Sequence, residues 1–165
     1  MTSSPRPPWW RGARGEWYVV VQVVLMAAVF VLPRTLPGLP AWPATFARVA
    51  TIAGSVLMLA GGILFLAGIK RLGRNLTPLP FPRPDATLVD TGPYRLVRHP
   101  IYAGAILLAY GWALVVHGWL TLVYATVLLV FFDIKSAREE RWLASRFPAY
   151  PDYQRRVSKL IPFIR

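Results

Sequence analysis

Two short clusters carry the side chains of this sequence best suited to bind a charged ligand. The first is the run Arg98-His99-Pro100-Ile101-Tyr102. Proline suits the first position of a helix, where its missing N–H would be unpaired anyway, so His99 is expected at the N-cap. The free N–H groups of such a helix start, with Arg98 beside them, form a site for a carboxylate or a phosphate. The alternative is that Arg98 and His99 contact only lipid phosphates.

The second cluster is Lys135-Ser136-Ala137-Arg138-Glu139-Glu140. Its simplest interpretation is an i,i+4 ion pair between Lys135 and Glu139, which contributes only a few tenths of a kcal/mol, roughly 0.2–0.5. The other interpretation is a pair of ligand-binding carboxylates, Glu139 and Glu140. The choice depends on whether the fold brings this cluster close to the first one.

Three runs without formal charge indicate the elements that position these clusters. They cover residues 17–33, 49–69 and 99–132, which are 17, 21 and 34 residues long. A helix crosses a bilayer in about 20 apolar residues, so each of the first two runs fits one crossing. The third run is too long for one crossing, and His117-Gly118 is the natural break. We therefore predict helices over 100–116 and 119–132, the second continuing to about residue 146. In this hairpin a zwitterionic ligand could bridge the two clusters.

The distribution of basic residues tests this hairpin. Lys and Arg number 3 before the first run, 2 between the first two, 6 over residues 70–98 and 8 after Asp133. With an even number of crossings, 17 of the 19 lie on one side, as the positive-inside rule requires. The predicted fold is an all-α integral membrane protein with four transmembrane helices and a cytoplasmic helical tail. Both termini and the 70–98 loop are then expected in the cytoplasm.

Composition excludes several other classes of protein. Of the 165 residues, 55% are hydrophobic and only 16% are charged, whereas a soluble domain has about 25% charged residues. The absence of cysteine removes disulfides and thiolate metal sites, and with two histidines no metal centre is expected. The net charge of +12 fits anionic lipid headgroups better than nucleic acid, because the basic residues lie between apolar runs. The lipid bilayer is the expected partner.

The chain is expected to have three parts. Residues 1–16, rich in Pro, Ser and Arg, form a flexible basic arm rather than a cleavable signal peptide. Residues 17–72 form two transmembrane helices, and residues 73–165 form the catalytic region. Gly61 and Gly62 in the second helix would allow close packing of a neighbouring helix. His117 and Asp133 are expected to be polar residues at the two membrane boundaries.

Several motifs in the second half of the chain resemble one family of membrane enzymes. The motifs, in chain order, are Gly92-x-Tyr94, Arg98-His99-Pro100-x-Tyr102-x-Gly104, Gly111, Glu139-Glu140-x-x-Leu143, Phe147-x-x-Tyr150-x-x-Tyr153 and Leu160-Ile161-Pro162-Phe163. In this order, around a membrane hairpin, they resemble the isoprenylcysteine carboxyl methyltransferases, whose wider group includes phospholipid methyltransferases. The resemblance covers about residues 86–165.

The resemblance implies that S-adenosylmethionine binds at the cytoplasmic face. The residues it assigns to the cofactor are Thr87, Leu88, Val89, Tyr94, His99, Pro100, Ile101, Tyr102 and Glu139. Leu79 stands where eukaryotic members have a polar cofactor contact, so that contact is not carried over. Lys135 stands at a basic position near the methyl acceptor, although the family has arginine there.

The chemistry of the residues agrees with this implication. The cofactor carboxylate suits Arg98 and His99, and its ammonium or ribose hydroxyls suit Glu139. The predicted catalytic residues are therefore Arg98, His99, Glu139 and Glu140. An ionised carboxylate acceptor needs no general base, because it has lost its proton at neutral pH. An amine or thiol acceptor must lose one, and Glu140 or His99 would take it.

The resemblance favours a lipophilic acceptor of the isoprenylcysteine carboxylate type. A phospholipid amine and a small thiol fit the same site. Two other classes stay open, a membrane NADPH-dependent reductase of the sterol type and a membrane protein without enzymatic activity. A short, Arg-rich, cysteine-free chain is typical of prokaryotes, so we expect a prokaryotic plasma membrane with the active site facing the cytoplasm. Such an origin argues against a prenylated protein as the substrate.

Overall fold

The computed structural model describes residues 15–77, 79 and 86–162, and the regular secondary structure within them is helical. The helices are α1 Glu16–Val31, α2 Ala44–Leu72, α3 Pro100–Val115, α4 Trp119–Arg146 and α5 Tyr150–Arg156. A short 3₁₀ helix covers Gly92–Arg95. These described residues contain no strand, only one isolated bridge between Val97 and Ser158. Most of the predicted N-terminal arm, and Phe163 of the last motif, lie outside the described residues.

The predicted hairpin is confirmed in its helices and its break. Helix α3 begins at Pro100 with His99 in the N-cap position, and α4 runs without interruption to Arg146. His117 has φ +52°, a left-handed conformation that ends α3 and turns the chain into Gly118. The Nε2 atom of His117 lies 2.9 Å from the Thr51 hydroxyl, so the turn is also fastened to α2.

Two of the helices are long and apolar enough to cross a membrane. They are α4 and α2 with its 3₁₀ extension to Asn75. Helices α1 and α3 are apolar too, but each has only 16 residues. Large apolar side chains on the outer face of α2 are exposed, among them Ile52, Leu59 and Leu66. An all-helical fold suited to a membrane is thus present, and the four crossings stay a prediction.

Glycines hold α2 and α3 in close antiparallel contact. A Cβ atom added to Gly61 would lie 2.8 Å from the Gly104 carbonyl oxygen, and one added to Gly54 would lie 2.6 Å from that of Gly111. Such separations leave no room for any side chain at these positions. Gly62 has open space around it. Of the glycine pair noted in the sequence, only Gly61 therefore lies at the contact.

The C-terminal segment fastens the approach to α3. The backbone N–H of Arg98 donates to the Ser158 carbonyl at 2.8 Å, and that of His99 donates to the Lys159 carbonyl at 3.2 Å. The Tyr153 hydroxyl donates to the Tyr94 carbonyl at 2.6 Å. The tail therefore sets the position of residues 94–99 relative to the hairpin.

Candidate active site

Glu140 is the centre of a buried polar network at the start of α3. Its Oε1 accepts from Nε of Arg98 at 2.7 Å and from Nε2 of His99 at 3.1 Å. Its Oε2 accepts from the Gln154 side-chain amide at 2.9 Å and from Nη2 of Arg98 at 3.3 Å. The carboxylate is almost fully enclosed, and four donors compensate for its lost hydration. Glu140 thus joins α3, α4 and α5 at one point.

Arg98 directs its remaining donors to the backbone of the tail. Its Nη1 donates to the carbonyl of Gln154 at 3.0 Å and also to that of Val157. All three guanidinium nitrogens therefore have acceptors within the protein. The geometry gives Arg98 a role in holding the start of α3 against α4 and the tail.

Glu139, the neighbour of Glu140, faces a different group of residues. Its Oε2 accepts from the Tyr102 hydroxyl at 2.9 Å and lies 3.9 Å from Nδ1 of His99. The rings of His99 and Tyr102 are parallel within 4°, and Tyr102 stacks in turn on Phe132. About a quarter of the Glu139 side chain stays exposed, so it can accept a further donor. Of the two glutamates, Glu139 is the one available to a ligand.

Glu139, His99 and Tyr94 lie on the boundary between two adjoining cavities. The outer cavity, about 90 Å³, lies under residues 86–89 and reaches α5. The inner cavity, about 250 Å³, lies among the four long helices and is mainly apolar. A ligand in one cavity would therefore be in reach of a ligand in the other.

Most of the residues singled out in the sequence border these cavities. Those around the outer cavity are Thr87, Leu88, Val89, Tyr94, Arg98, His99 and Glu139. Those around the inner cavity are Tyr94, His99, Ile101, Tyr102, Lys135 and Glu139. Pro100 and Glu140 border neither: Pro100 is fully buried at the helix start, and Glu140 lies behind His99.

Asn75 holds the segment that covers the outer cavity. Its amide donates to the Thr87 carbonyl and hydroxyl, each at 3.2 Å, and its Oδ1 accepts from the Thr87 backbone N–H at 3.3 Å. Sequence reasoning missed Asn75 because its partner Thr87 is twelve residues away along the chain, and no local pattern indicates the pairing.

The outer cavity also contains polar groups suited to a polar ligand. The Tyr150 hydroxyl is buried and has no hydrogen-bond partner among the described residues. Such an orphaned group is costly unless a ligand or water satisfies it. Burial is the main cause that raises the pKa values of Tyr94 and Tyr150 well above the usual range, and nearby glutamates add to both shifts. Both hydroxyls therefore stay protonated: that of Tyr94 donates to the Gly68 carbonyl at 3.5 Å, and that of Tyr150 can donate to a ligand.

Gln22 is a further residue of the inner cavity that sequence reasoning missed. Its Oε1 accepts a hydrogen bond from Nζ of Lys135, and this ammonium also lies 5.2 Å from the centre of the Tyr102 ring. The available signal was a lone amide within the uncharged run 17–33. Lys135 is fully buried among α1, α3 and α4, so its charge is presented toward the cavity rather than to bulk water.

Comparison with known proteins agrees with the motifs. The sequence model of the phospholipid methyltransferases matches residues 49–149. The cobalt-zinc-cadmium resistance protein CzcN of Cupriavidus metallidurans is 31% identical over 150 residues, which are 90% of this chain. The match spans 62% of the length of that relative.

The described residues of this chain hold no group of three or more His, Asp or Glu side chains placed to bind a metal ion.

Proposed function

The chain belongs to the phospholipid methyltransferase family, and on that premise we propose that it transfers a methyl group from S-adenosylmethionine to a lipophilic acceptor. The observation that carries this proposal is the pair of adjoining cavities, one with polar groups and one mainly apolar, with Glu139 and His99 between them. Transfer of a methyl group from S-adenosylmethionine to a lipophilic acceptor requires that the polar cofactor and the amphiphilic acceptor bind side by side. Family membership favours this function over the sterol-type reductase.

The residues of the outer cavity suit S-adenosylmethionine. Glu139 offers a carboxylate to an ammonium or a ribose diol, and the Tyr150 hydroxyl offers a donor that has no acceptor among the described residues. Thr87, Leu88 and Val89 border the cavity along a segment without regular secondary structure that Asn75 holds in place. When bound, S-adenosylmethionine supplies an electrophilic methyl group on a sulfonium.

Within the predicted catalytic set we assign two kinds of role. Glu139 and His99 contact the ligands, and Tyr102 orients Glu139 through its 2.9 Å hydrogen bond. Arg98 and Glu140 are positioning residues, because their polar atoms are bonded to each other, to His99 and to the tail. This pre-organisation is the main contribution that the chain makes to catalysis, since an in-line displacement depends on alignment.

The inner cavity is the proposed site of the acceptor. Phe65, Ile101 and Phe132 provide an apolar lining, and Lys135 provides a cation. A cation beside the acceptor favours an anionic nucleophile, so we propose a carboxylate of the isoprenylcysteine type ahead of an amine or a thiol. A carboxylate requires no base, and exclusion of water strengthens its attraction to Lys135.

Four membrane crossings, with the site at the cytoplasmic face, complete the proposal. The chain has no cysteine, so single cysteines report topology directly. Thr35 lies between α1 and α2, and Ser145 lies near the end of α4; both are exposed. We expect a membrane-impermeant thiol reagent to label Thr35→Cys in intact cells and Ser145→Cys only after lysis. Labelling of Ser145→Cys in intact cells would contradict the hairpin topology.

Calorimetry with S-adenosylhomocysteine tests the cofactor assignment. The wild-type protein in detergent should bind this product, and Glu139→Gln should weaken binding by about ten- to a hundredfold, because a charge-assisted hydrogen bond contributes about 1.5–3 kcal/mol. Asp133→Asn is the matched control: it removes one charge from the same helix, where the carboxylate is exposed and bonded to Lys159. Absence of binding to a monodisperse wild-type protein, or equal affinity in Glu139→Gln, would reject the assignment.

Direct methylation assays distinguish the acceptor classes. A farnesylcysteine derivative with a free carboxylate should accept a labelled methyl group, and its methyl ester should not. Phosphatidylethanolamine is the amine alternative. Transfer to the amine alone would overturn the carboxylate assignment and leave the methyltransferase function intact.

A further inference from the structure

Two side-chain contacts join α1 and α4 next to the inner cavity. Lys135 bonds Gln22, and one turn further along α4 Arg138 lies over the ring of Tyr18. The two contacts show that α1 and α4 run antiparallel here. The seam leads from the proposed cytoplasmic surface, at Tyr18 and Arg138, toward the inner cavity, which Gln22 and Lys135 border.

The guanidinium of Arg138 is placed between aromatic side chains rather than beside an acid. Its Cζ lies 5.7 Å from the centre of the Tyr18 ring and 5.1 Å from that of Trp142. Its Nε is buried and has no hydrogen-bond partner among the described residues. The next two residues are acidic, but Glu139 is bonded to Tyr102 and Glu140 to Arg98, on the side of α3. Among the described residues no carboxylate forms an ion pair with this guanidinium, so the two rings hold the cation without neutralising it.

We propose that Arg138, held by Tyr18 and Trp142, binds the phosphate of an anionic phospholipid at the cytoplasmic end of the α1–α4 seam. A guanidinium presents a planar set of donors that matches phosphate oxygens, and stacking on aromatic rings leaves the edge of that plane for an anion. Tyrosine and tryptophan are the residues that occupy the headgroup region of a bilayer. A guanidinium already held in place also loses less conformational entropy on binding.

The surroundings favour a lipid over a soluble phosphate. Beyond Tyr18 the outer face of α1 is apolar, and Val20, Val23 and Val24 are 43%, 60% and 60% exposed. Acyl chains can cover this face while the headgroup reaches Arg138. The proposal rests on the membrane placement given under the proposed function, and it adds a lipid site at the cytoplasmic end of the seam, outside the residues that line the acceptor cavity.

Native mass spectrometry of the detergent-purified protein tests this site. The probes are dioleoylphosphatidylglycerol, which is anionic, and dioleoylphosphatidylcholine, which is zwitterionic. We expect wild type to bind the anionic lipid in preference, and Arg138→Gln to weaken that binding about tenfold, by loss of a charge-assisted contact. Arg141→Gln is the matched control, because it removes the same charge from an exposed position of the same helix, and it should retain wild-type affinity.

A second variant separates orientation from charge. Trp142→Leu keeps the cation and removes one stacking ring, so we expect a loss of a few fold with all charges retained. If Arg138→Gln fails to fold, the loss of lipid binding in Trp142→Leu still tests whether the oriented guanidinium binds the lipid. The inference is overturned by unchanged lipid binding in Arg138→Gln and Trp142→Leu, or by equal losses in Arg138→Gln and Arg141→Gln. Displacement of the anionic lipid by millimolar inorganic phosphate would also overturn it, in favour of a soluble anion.

Affinity for S-adenosylhomocysteine, measured in the same preparations, keeps the two proposals apart. Arg138→Gln should leave it at the wild-type value, because Arg138 borders neither cavity. Lipid binding that depends on Arg138 in a protein that does not bind S-adenosylhomocysteine would support the lipid site and reject the proposed function. Binding of S-adenosylhomocysteine by a protein whose lipid binding does not depend on Arg138 would support the proposed function and reject the lipid site.

Discussion

Helix α3 is held by its two neighbours in opposite ways. Against α2 it uses glycines, with Gly61 meeting Gly104 and Gly54 meeting Gly111 along one closed, apolar seam. Against α4 it uses large and polar side chains, with the stack of His99, Tyr102 and Phe132 beside the Glu140 network. The first contact leaves no room for a side chain at these glycines, and the second borders the cavities of the proposed active site, which residues of α2 also line.

The difference shows how a small helical protein can combine closely packed helices with internal cavities. In a membrane, helices gain little from hydrophobic association and depend on close packing and hydrogen bonds. The glycine seam supplies the packing. It leaves the other side of α3 free to carry residues whose bulk and charge would prevent such a close approach. Each seam can be broken separately, and the two should fail in different ways.

The largest effect is expected from Glu140→Ala. It leaves Arg98 buried beside an apolar side chain, and breaking such a pair typically costs about 3–5 kcal/mol of folding free energy. Thermal unfolding in detergent should show this loss. Asp133→Ala is the control, since it breaks an ion pair whose carboxylate is 57% exposed, and exposed pairs contribute about 0–1 kcal/mol. Equal losses in both variants would mean that the Glu140 network does not hold the site together.

A smaller effect is expected from Gly104→Ala. The added methyl group would lie 2.7 Å from both the Gly61 carbonyl oxygen and the Phe65 backbone nitrogen, so the helices must separate. Overpacking of this kind costs about 1–3 kcal/mol. Gly62→Ala meets nothing within 4 Å and replaces a poor helix former, so it should be neutral or stabilise by up to about 1 kcal/mol.

The contrast in sign between the two glycine variants is the test. If both lower the unfolding temperature equally, the close approach of α2 and α3 contributes nothing specific. A Gly104→Ala protein that keeps its affinity for S-adenosylhomocysteine would also show that the two sides of α3 act independently.

The sequence predicted the helices and the break between α3 and α4, for local reasons. Pro100 can begin a helix but not continue one, and His117-Gly118 interrupts an uncharged run too long for one crossing. The placement of Arg98 and His99 near Glu139 and Glu140 followed from the hairpin alone. These features depend on neighbours in the chain and on the thickness of a bilayer, so composition and spacing reveal them.

Only the tertiary structure separated the roles of the two glutamates. Adjacent residues on a helix point about 100° apart, so Glu139 and Glu140 lie on different sides of the helix and reach different nitrogens of the His99 ring. The sequence does not say which of the two faces the cavities. The packing of α5 and the tail decides this. It places the carbonyls of Gln154 and Val157 beside Arg98 and the Gln154 amide beside Glu140, so Glu140 is buried and fully hydrogen-bonded. The approach of Gln22 to Lys135, across 113 positions of chain, is likewise a product of packing, because no local pattern encodes which helix faces will meet.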